Sequence, residues 1–309
     1  MSFINWGGDS PEQRAIRARL EQEALFEQAI RIRMQSQGGV GAAAGSGGGY
    51  DPLEGLFGVS SDGLIYTVDR TEANWPFNFE NFPDLTVIAL NTDDDRLYAA
   101  VDFGGEVYFI RIDKETREFT FLDNNINDYA TKGASSLYYE GNGSFIYLDN
   151  GFKKTGVSSI IRVTLNEFSP ETADVTEVSE VDEGVTGYLL RNLFLYDGTP
   201  WAIAYAGPDT IIGPFDIDAG DFIYSNILVP SPSETRVELI LGVFSTVEHR
   251  GTVYSAIVFA DSELDGDPSL GLFKVDTETG GALAPYYVSY VKNLTFKSQD
   301  TTILTLFNY

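Results

Sequence analysis

With 309 residues, 43% of them hydrophobic and 13% aromatic, the chain can bury a sizeable core in one or two domains, which excludes a disordered polymer. Its formal net charge of -26 opposes binding to nucleic acid. Zero cysteines exclude disulfides, thiolate nucleophiles and Cys-ligated zinc, and a lone histidine, His249, excludes clustered-His metal sites and leaves any Ser-His-Asp arrangement dependent on one residue.

The chain opens MSFINWGGDSPEQRAIRARL, with acidic and polar residues where a signal peptide needs an apolar stretch. No run of about 18 apolar residues encodes a membrane-spanning helix. The expectation is synthesis in a cytosol without export by the general secretory route. Ser10-Pro11-Glu12-Gln13 has the pattern of a helix start, with Ser10 as cap, Pro11 in the first turn and Gln13 completing a capping box. The predicted helix, about 11–35, ends in QSQGG. Ile16, Leu20, Ala24, Phe26, Ile30 and Met34 make one apolar stripe, and Leu25, Ala29 and Ile32 another, so the helix needs more than one neighbour.

The segment GGVGAAAGSGGG that follows is a flexible linker over 38–50, with a mean span of roughly 20 Å for about 12 residues. Residues 1–49 hold five Asp/Glu and five Arg, so the whole acidic excess lies beyond them. Two parts with different electrostatics suggest two jobs. Residues 1–37, with Phe3, Trp6, Ile16, Leu20, Phe26, Ile30 and Met34 as the contact set, are expected to dock into another protein or self-associate. The alternative is that the helix packs on its own domain.

From residue 51 onward the pattern is all-β. The stretch 85–123 predicts a complete four-stranded antiparallel sheet, with alternation in RLYAAVDF and EVYFIRID and turns at NTDDD, FGGE and DKETR. Second strands recur at 96–101, 144–149, 200–205, 252–258 and 301–307. Third strands are expected at 63–69, 107–113, 159–165, 222–228 and 271–280. Successive second strands are spaced by 48, 56, 52 and 49 residues, about what one four-stranded propeller blade requires. Insertions are expected at 207–221 and 260–269. The chain stops after a second strand, whereas the domain begins at Leu56 without a first or second, so 293–309 and 56–79 should complete one sheet and remove its open edges.

This layout resembles the five-bladed β-propellers, over residues 56–309. The VDTETG element (Val275 to Gly280) is its most typical piece, and it is shared by unrelated propellers, so it supports fold and not function. Some five-bladed propellers are glycoside hydrolases whose carboxylates project into the central funnel from innermost strands. The expected inner strands here, 85–92, 135–141, 188–198, 242–251 and 293–300, have almost no mid-strand acids. Glu140, Asp197 and Glu248 sit at turns, so no enzyme is expected. His249 and Glu248 are adjacent on a strand and point to opposite faces, which predicts a hydrogen-bonded turn histidine.

Two other groups of side chains suggest binding. Trp75, Trp201, Tyr138 and Tyr139 are the aromatics expected to face a ligand groove. The acidic loop 261–267 offers Asp261, Asp265 and Asp267 as oxygen ligands for Ca2+, without the full EF-hand pattern. Arg191 and the Lys153-Lys154 pair are isolated cations in an acidic domain and suit salt bridges.

The opening MSFINWGGDSPEQ, its Arg/Glu helix and the Gly-rich linker are similar to leaders of tailed-phage virion structural proteins, marine ones particularly. That resemblance covers about the first 49 residues. It implies a protein made in the host cytoplasm and carried on the virion, docked to other virion proteins through residues 1–37, with the propeller serving decoration or adsorption to a cell-surface glycan or protein. The rivals are a free-standing glycan-binding or glycoside-hydrolase-like propeller and a cytosolic protein-interaction propeller.

Overall fold

Each alternating run puts one set of side chains on each face of a strand, and short turns let neighbouring runs pair antiparallel. The computed structural model describes residues 52–60, 65–68, 85–92, 96–103, 106–113, 116, 118–122, 136–149, 156–166, 169–277, 284–296 and 301–308. The helix expected over 11–35 and the linker over 38–50 lie outside the described residues.

β1 (Leu56–Ser60) pairs with β2 (Ile65–Thr67). β3 (Leu85–Thr92), β4 (Arg96–Phe103), β5 (Glu106–Asp113) and β6 (Phe119–Phe121) then form the four-stranded sheet expected over 85–123. β7 (Leu137–Gly141), β8 (Ser144–Asp149), β9 (Val157–Asn166) and β10 (Ser169–Asp182) repeat it. A four-residue helix, α1 (Glu183–Thr186), follows, with the Asp182 carboxylate accepting from the Gly184 N–H at 2.9 Å.

The next meander is β11 (Leu189–Tyr196), β12 (Thr199–Ala206), β13 (Asp209–Asp216) and β15 (Asn226–Pro230), with β14 (Asp221–Phe222) between the last two in sequence and paired to β13. β16 (Val237–His249), β17 (Thr252–Asp261), β18 (Asp267–Asp276) and β19 (Tyr286–Asn293) make another. β15 and β19 pair in parallel, Leu228 opposite Tyr286, and so join these two meanders into one nine-stranded sheet. Three tight hairpins carry the type I′ signature of positive φ at both central residues: Asn142-Gly143 at 52° and 77°, Asp197-Gly198 at 48° and 69°, and Arg250-Gly251 at 52° and 76°.

β20 (Thr295–Phe296) and β21 (Thr301–Asn308) complete the sheet begun by β1, in the order β2-β1-β21-β20. Closure is as expected, but the strand that meets the C-terminal one is β1, from Leu56↔Asn308 to Ser60↔Ile303, and not 63–69. The third strand of this sheet is LFGVS and the fourth is β2. Gly58 weakens the strand pattern of LFGVS, yet Leu56 and Val59 are buried and Phe57 stacks on Phe307 with centroids 5.7 Å apart.

A second correction concerns 207–221, expected as an insertion. It contains β13, a true third strand, and 222–228 belongs to the fourth. Gly213-Pro214 reads as a breaker, but Pro214 sits opposite Trp201 and its carbonyl accepts from Ile223 N–H at 3.0 Å. Gly213 lies so close under the Tyr224 carbonyl that an added Cβ would collide with it. Likewise 260–269 is the end of β17, one 3-10 turn (Ser262–Leu264) and the start of β18.

The sheets pack face to face. Tyr98, Phe109 and Ala100 meet Phe145, Tyr147 and Ile161; Ile146, Leu148 and Ile160 meet Leu190, Ala204 and Phe215; Trp201 and Ile203 meet Val243, Val253 and Phe273; Leu97 and Ile110 meet Val59 and Phe307. Both faces of these sheets are therefore apolar, and each fully buried Phe contributes roughly 1.5–3 kcal/mol. β3 touches β7, β7 touches β11, β11 touches β16, β16 touches β21, and β21 touches β3. A ring of meander sheets closed in this way is a β-propeller.

Candidate functional site at the ring centre

The contacts that close the ring run through the first strands β3, β7, β11 and β16 and through β21, and bulges shape what the four first strands present. The register shifts between Val87 and Ala89 in β3, Tyr139 and Gly141 in β7, Leu190 and Asn192 in β11, and three times in β16. A bulge takes a residue out of the ladder and leaves backbone groups needing other partners.

Hydroxyls from the adjoining meander supply such partners. Leu193 N–H, just past the β11 bulge, donates to Ser136 Oγ at 2.7 Å. Val243 N–H, between the β16 bulges, donates to the Tyr205 hydroxyl at 2.9 Å. Leu306 N–H in β21 donates to Ser245 Oγ at 3.0 Å. Each bond links two meanders, and those of Ser136 and Ser245 link separate sheets.

The residue bulged out of β11 is Arg191, whose guanidinium stands 4.7 Å over the Tyr205 ring. Beside it Asn192 is 2% exposed, and its Oδ1 has no hydrogen-bond partner among the described residues. Thr246 and Ser255, opposite each other on β16 and β17, share a hydroxyl–hydroxyl bond of 2.7 Å. A guanidinium, an amide and several hydroxyls are the groups that bind a neutral polar ligand.

The acids at the ends of inner strands are held elsewhere. Glu140 takes a bidentate pair from Arg162, at 2.8 and 2.9 Å. The Glu248 carboxylate accepts from Asp197 N–H at 2.8 Å, while His249, buried at the end of β16, has Nε2 3.0 Å from the Glu54 carbonyl. Glu248 and His249 thus reach different partners, as strand alternation requires.

The aromatic expectations divide. Trp201 is 6% exposed and packs edge-on against Tyr196 and Tyr286, so it is core and cannot offer a ring face to a ligand. Tyr138, 5% exposed, is core as well, and burial together with the Glu140 charge pushes its hydroxyl above the ordinary tyrosine range. Tyr139 is half-buried against Phe145 and its hydroxyl accepts from Gly143 N–H at 3.2 Å, steadying the hairpin. Trp75, Phe3, Trp6, Ile16, Leu20, Phe26, Ile30 and Met34 lie outside the described residues, as do Lys153 and Lys154.

The Ca2+ expectation at 261–267 also changes. Asp261 is fully buried and its carboxylate accepts from Arg236 (2.7 Å at the shortest), from Ser269 Oγ at 2.8 Å and from Glu263 N–H at 3.0 Å. Burial alone would raise this carboxyl, but those hydrogen bonds and the Arg236 charge outweigh it and hold it below the ordinary range. Asp265 and Asp267 are exposed at the turn beyond it, and no cluster of metal-ligating side chains forms among the described residues. Sequence reading missed Arg236, which also stands 4.5 Å over the Tyr290 ring; nothing local marks its partner 25 residues on.

No protein-family profile and no curated protein sequence matches this chain. Solved structures similar in chain trace include the nidogen/laminin complex, at 10% identity over 82% of this chain and 96% of that one, with a TM-score of 0.40. Xylan beta-1,4-xylosidase from Bacillus halodurans follows at 14% identity, 69% and 42% coverage and a TM-score of 0.41. GH43 endo-arabinanase from Bacillus licheniformis matches at 14% identity, 66% and 73% coverage and a TM-score of 0.40. The chain spans less than half of the xylosidase's length. These are likenesses of chain trace, and the fold assignment rests on the strand pairings above.

Proposed function

We propose that the chain is a non-catalytic display protein of a tailed-phage virion. Residues 1–37 anchor it, 38–50 tether it, and 51–309 form a five-bladed propeller used for decoration or for adsorption to a host surface. The observation that supports this reading is the pairing of β21 with β1. A head whose last strand is knitted to its first is rigid and edge-protected, which suits presentation on a flexible tether. The polar groups of the inner strands join sheets to one another, and Glu140 and Glu248 hold an arginine and a backbone N–H, which favours a scaffold over a hydrolase. The anchoring role rests on the leader resemblance. Many copies on one particle would add avidity to a weak surface contact.

Deleting residues 1–49 should leave a soluble, folded head that no longer joins particles; incorporation of the deleted form at the parental level would defeat the reading. The glycan-binding alternative has its own support in the Arg191, Asn192 and Tyr205 grouping. On a glycan array it predicts a sugar signal that Arg191→Ala abolishes, with the result of the 1–49 deletion unaffected. A cytosolic interaction role predicts a soluble partner and no particle-bound protein.

A further inference from the structure

From Asn192 to Thr235 the sequence holds six acids (Asp197, Asp209, Asp216, Asp218, Asp221 and Glu234) and no Lys, Arg or His. This span includes nearly all of the meander β11–β15. In the middle of it the structure exposes three large apolar side chains within five residues: Ile223 (64%), Tyr224 (43%) and Ile227 (43%).

The trio is held on a rigid platform. Ile223 N–H donates to the Pro214 carbonyl, the Tyr224 backbone lies directly on Gly213, and Ile227 pairs with Ile211 across β13 and β15. Behind Tyr224 is the parallel seam of β15 with β19, where burial and the neighbouring Tyr224 push the Tyr286 hydroxyl above the ordinary tyrosine range.

Register also places the acids around the trio. Asp216 and Asp221 face each other in the β13–β14 pair that leads into Ile223, and Asp209 is two residues from Ile211. Asp209, Asp216, Asp218 and Asp221 are all exposed. Clustered apolar side chains on a soluble surface mark contact sites, and a tyrosine among them is a common anchor. The surrounding field decides what can approach. An anionic membrane or a nucleic acid is repelled, and a second copy of this surface would bring like charge against like.

We propose that this surface, centred on Ile223, Tyr224 and Ile227, is a docking surface for a basic segment of another protein, one that alternates Lys or Arg with apolar side chains. The apolar trio supplies contact area and the acidic surround supplies attraction and orientation. This surface is independent of how the head is carried.

The test is isothermal titration of the full chain with three synthetic twelve-residue peptides: alternating Lys/Leu, alternating Lys/Ser and alternating Glu/Leu. The Lys/Leu peptide should bind at least tenfold more tightly than either of the others, and less tightly as salt is raised. Ile223→Ser with Ile227→Ser should bring its affinity down to the Lys/Ser level. Asp209→Asn with Asp218→Asn should weaken binding and flatten its salt dependence while leaving the apolar trio intact. Equal affinity for parent and Ile223→Ser/Ile227→Ser protein would overturn the proposal. So would an equal loss from Leu239→Ser/Val291→Ser, an exposed apolar pair outside the trio, tight binding of the Glu/Leu peptide, or a dimer of the full chain that the Ile223→Ser/Ile227→Ser change abolishes.

Discussion

Arg236 and Asp261 make the ion pair with most at stake, because the carboxylate has no access to water. Arg236→Ala would strand a buried charge and should cost about 3 kcal/mol, read as a lower urea midpoint with unchanged slope. Glu140 and Arg162 are each about one-third exposed, so Glu140→Gln should cost no more than about 1 kcal/mol. The Arg236–Asp261 pair also sets a pH dependence. Asp261 titrates lower in the folded chain than the ordinary value of about 3.9, so its contribution is complete above that value and is lost as pH falls through the folded one. Asp261→Asn should therefore flatten the acid side of the stability profile below about pH 4, as followed by circular dichroism. Neither residue's role was legible beforehand: a lone aspartate in an acidic loop looks the same whether its partner is an ion or an arginine.

At the level of strands, the hydroxyl bonds across sheets are the parts most open to test. Ser136→Ala and Ser245→Ala each leave a buried backbone N–H without an acceptor, and each should cost about 1–3 kcal/mol in chemical denaturation. Ser233→Ala, at an exposed hydroxyl pair on a loop, should be close to neutral. Second strands such as RLYAAV and SFIYLD could be read from sequence because burial on both faces selects aliphatic and aromatic residues throughout. β13 could not, because Gly213 and Pro214 break the strand pattern. The Gly is there for the close approach of Tyr224, which lies beyond the strand itself. The β15–β19 seam was equally hidden, since a parallel pair between meanders leaves no turn signal in the chain.

For the whole molecule, closure by β21 carries the largest consequence. Removing 301–309 takes away the partner of β1 and uncovers two sheet edges, so the truncated chain should aggregate on purification, while the parent stays soluble; a soluble, cooperatively unfolding truncation would contradict the closed ring. The pairing also joins strands some 245 residues apart, a long-range contact of the kind that slows folding.

The recurrence of strands about fifty residues apart, the all-β class and the complementary ends were settled by the order of residues alone, because alternation and turn chemistry act over a few neighbours. Which strand met the C-terminal one, whether Trp201 and Tyr138 faced ligand or core, and what Asp261 held were decided only by the fold. Those outcomes depend on which sheet lies against which face, and burial and pairing across a ring are properties of no single segment.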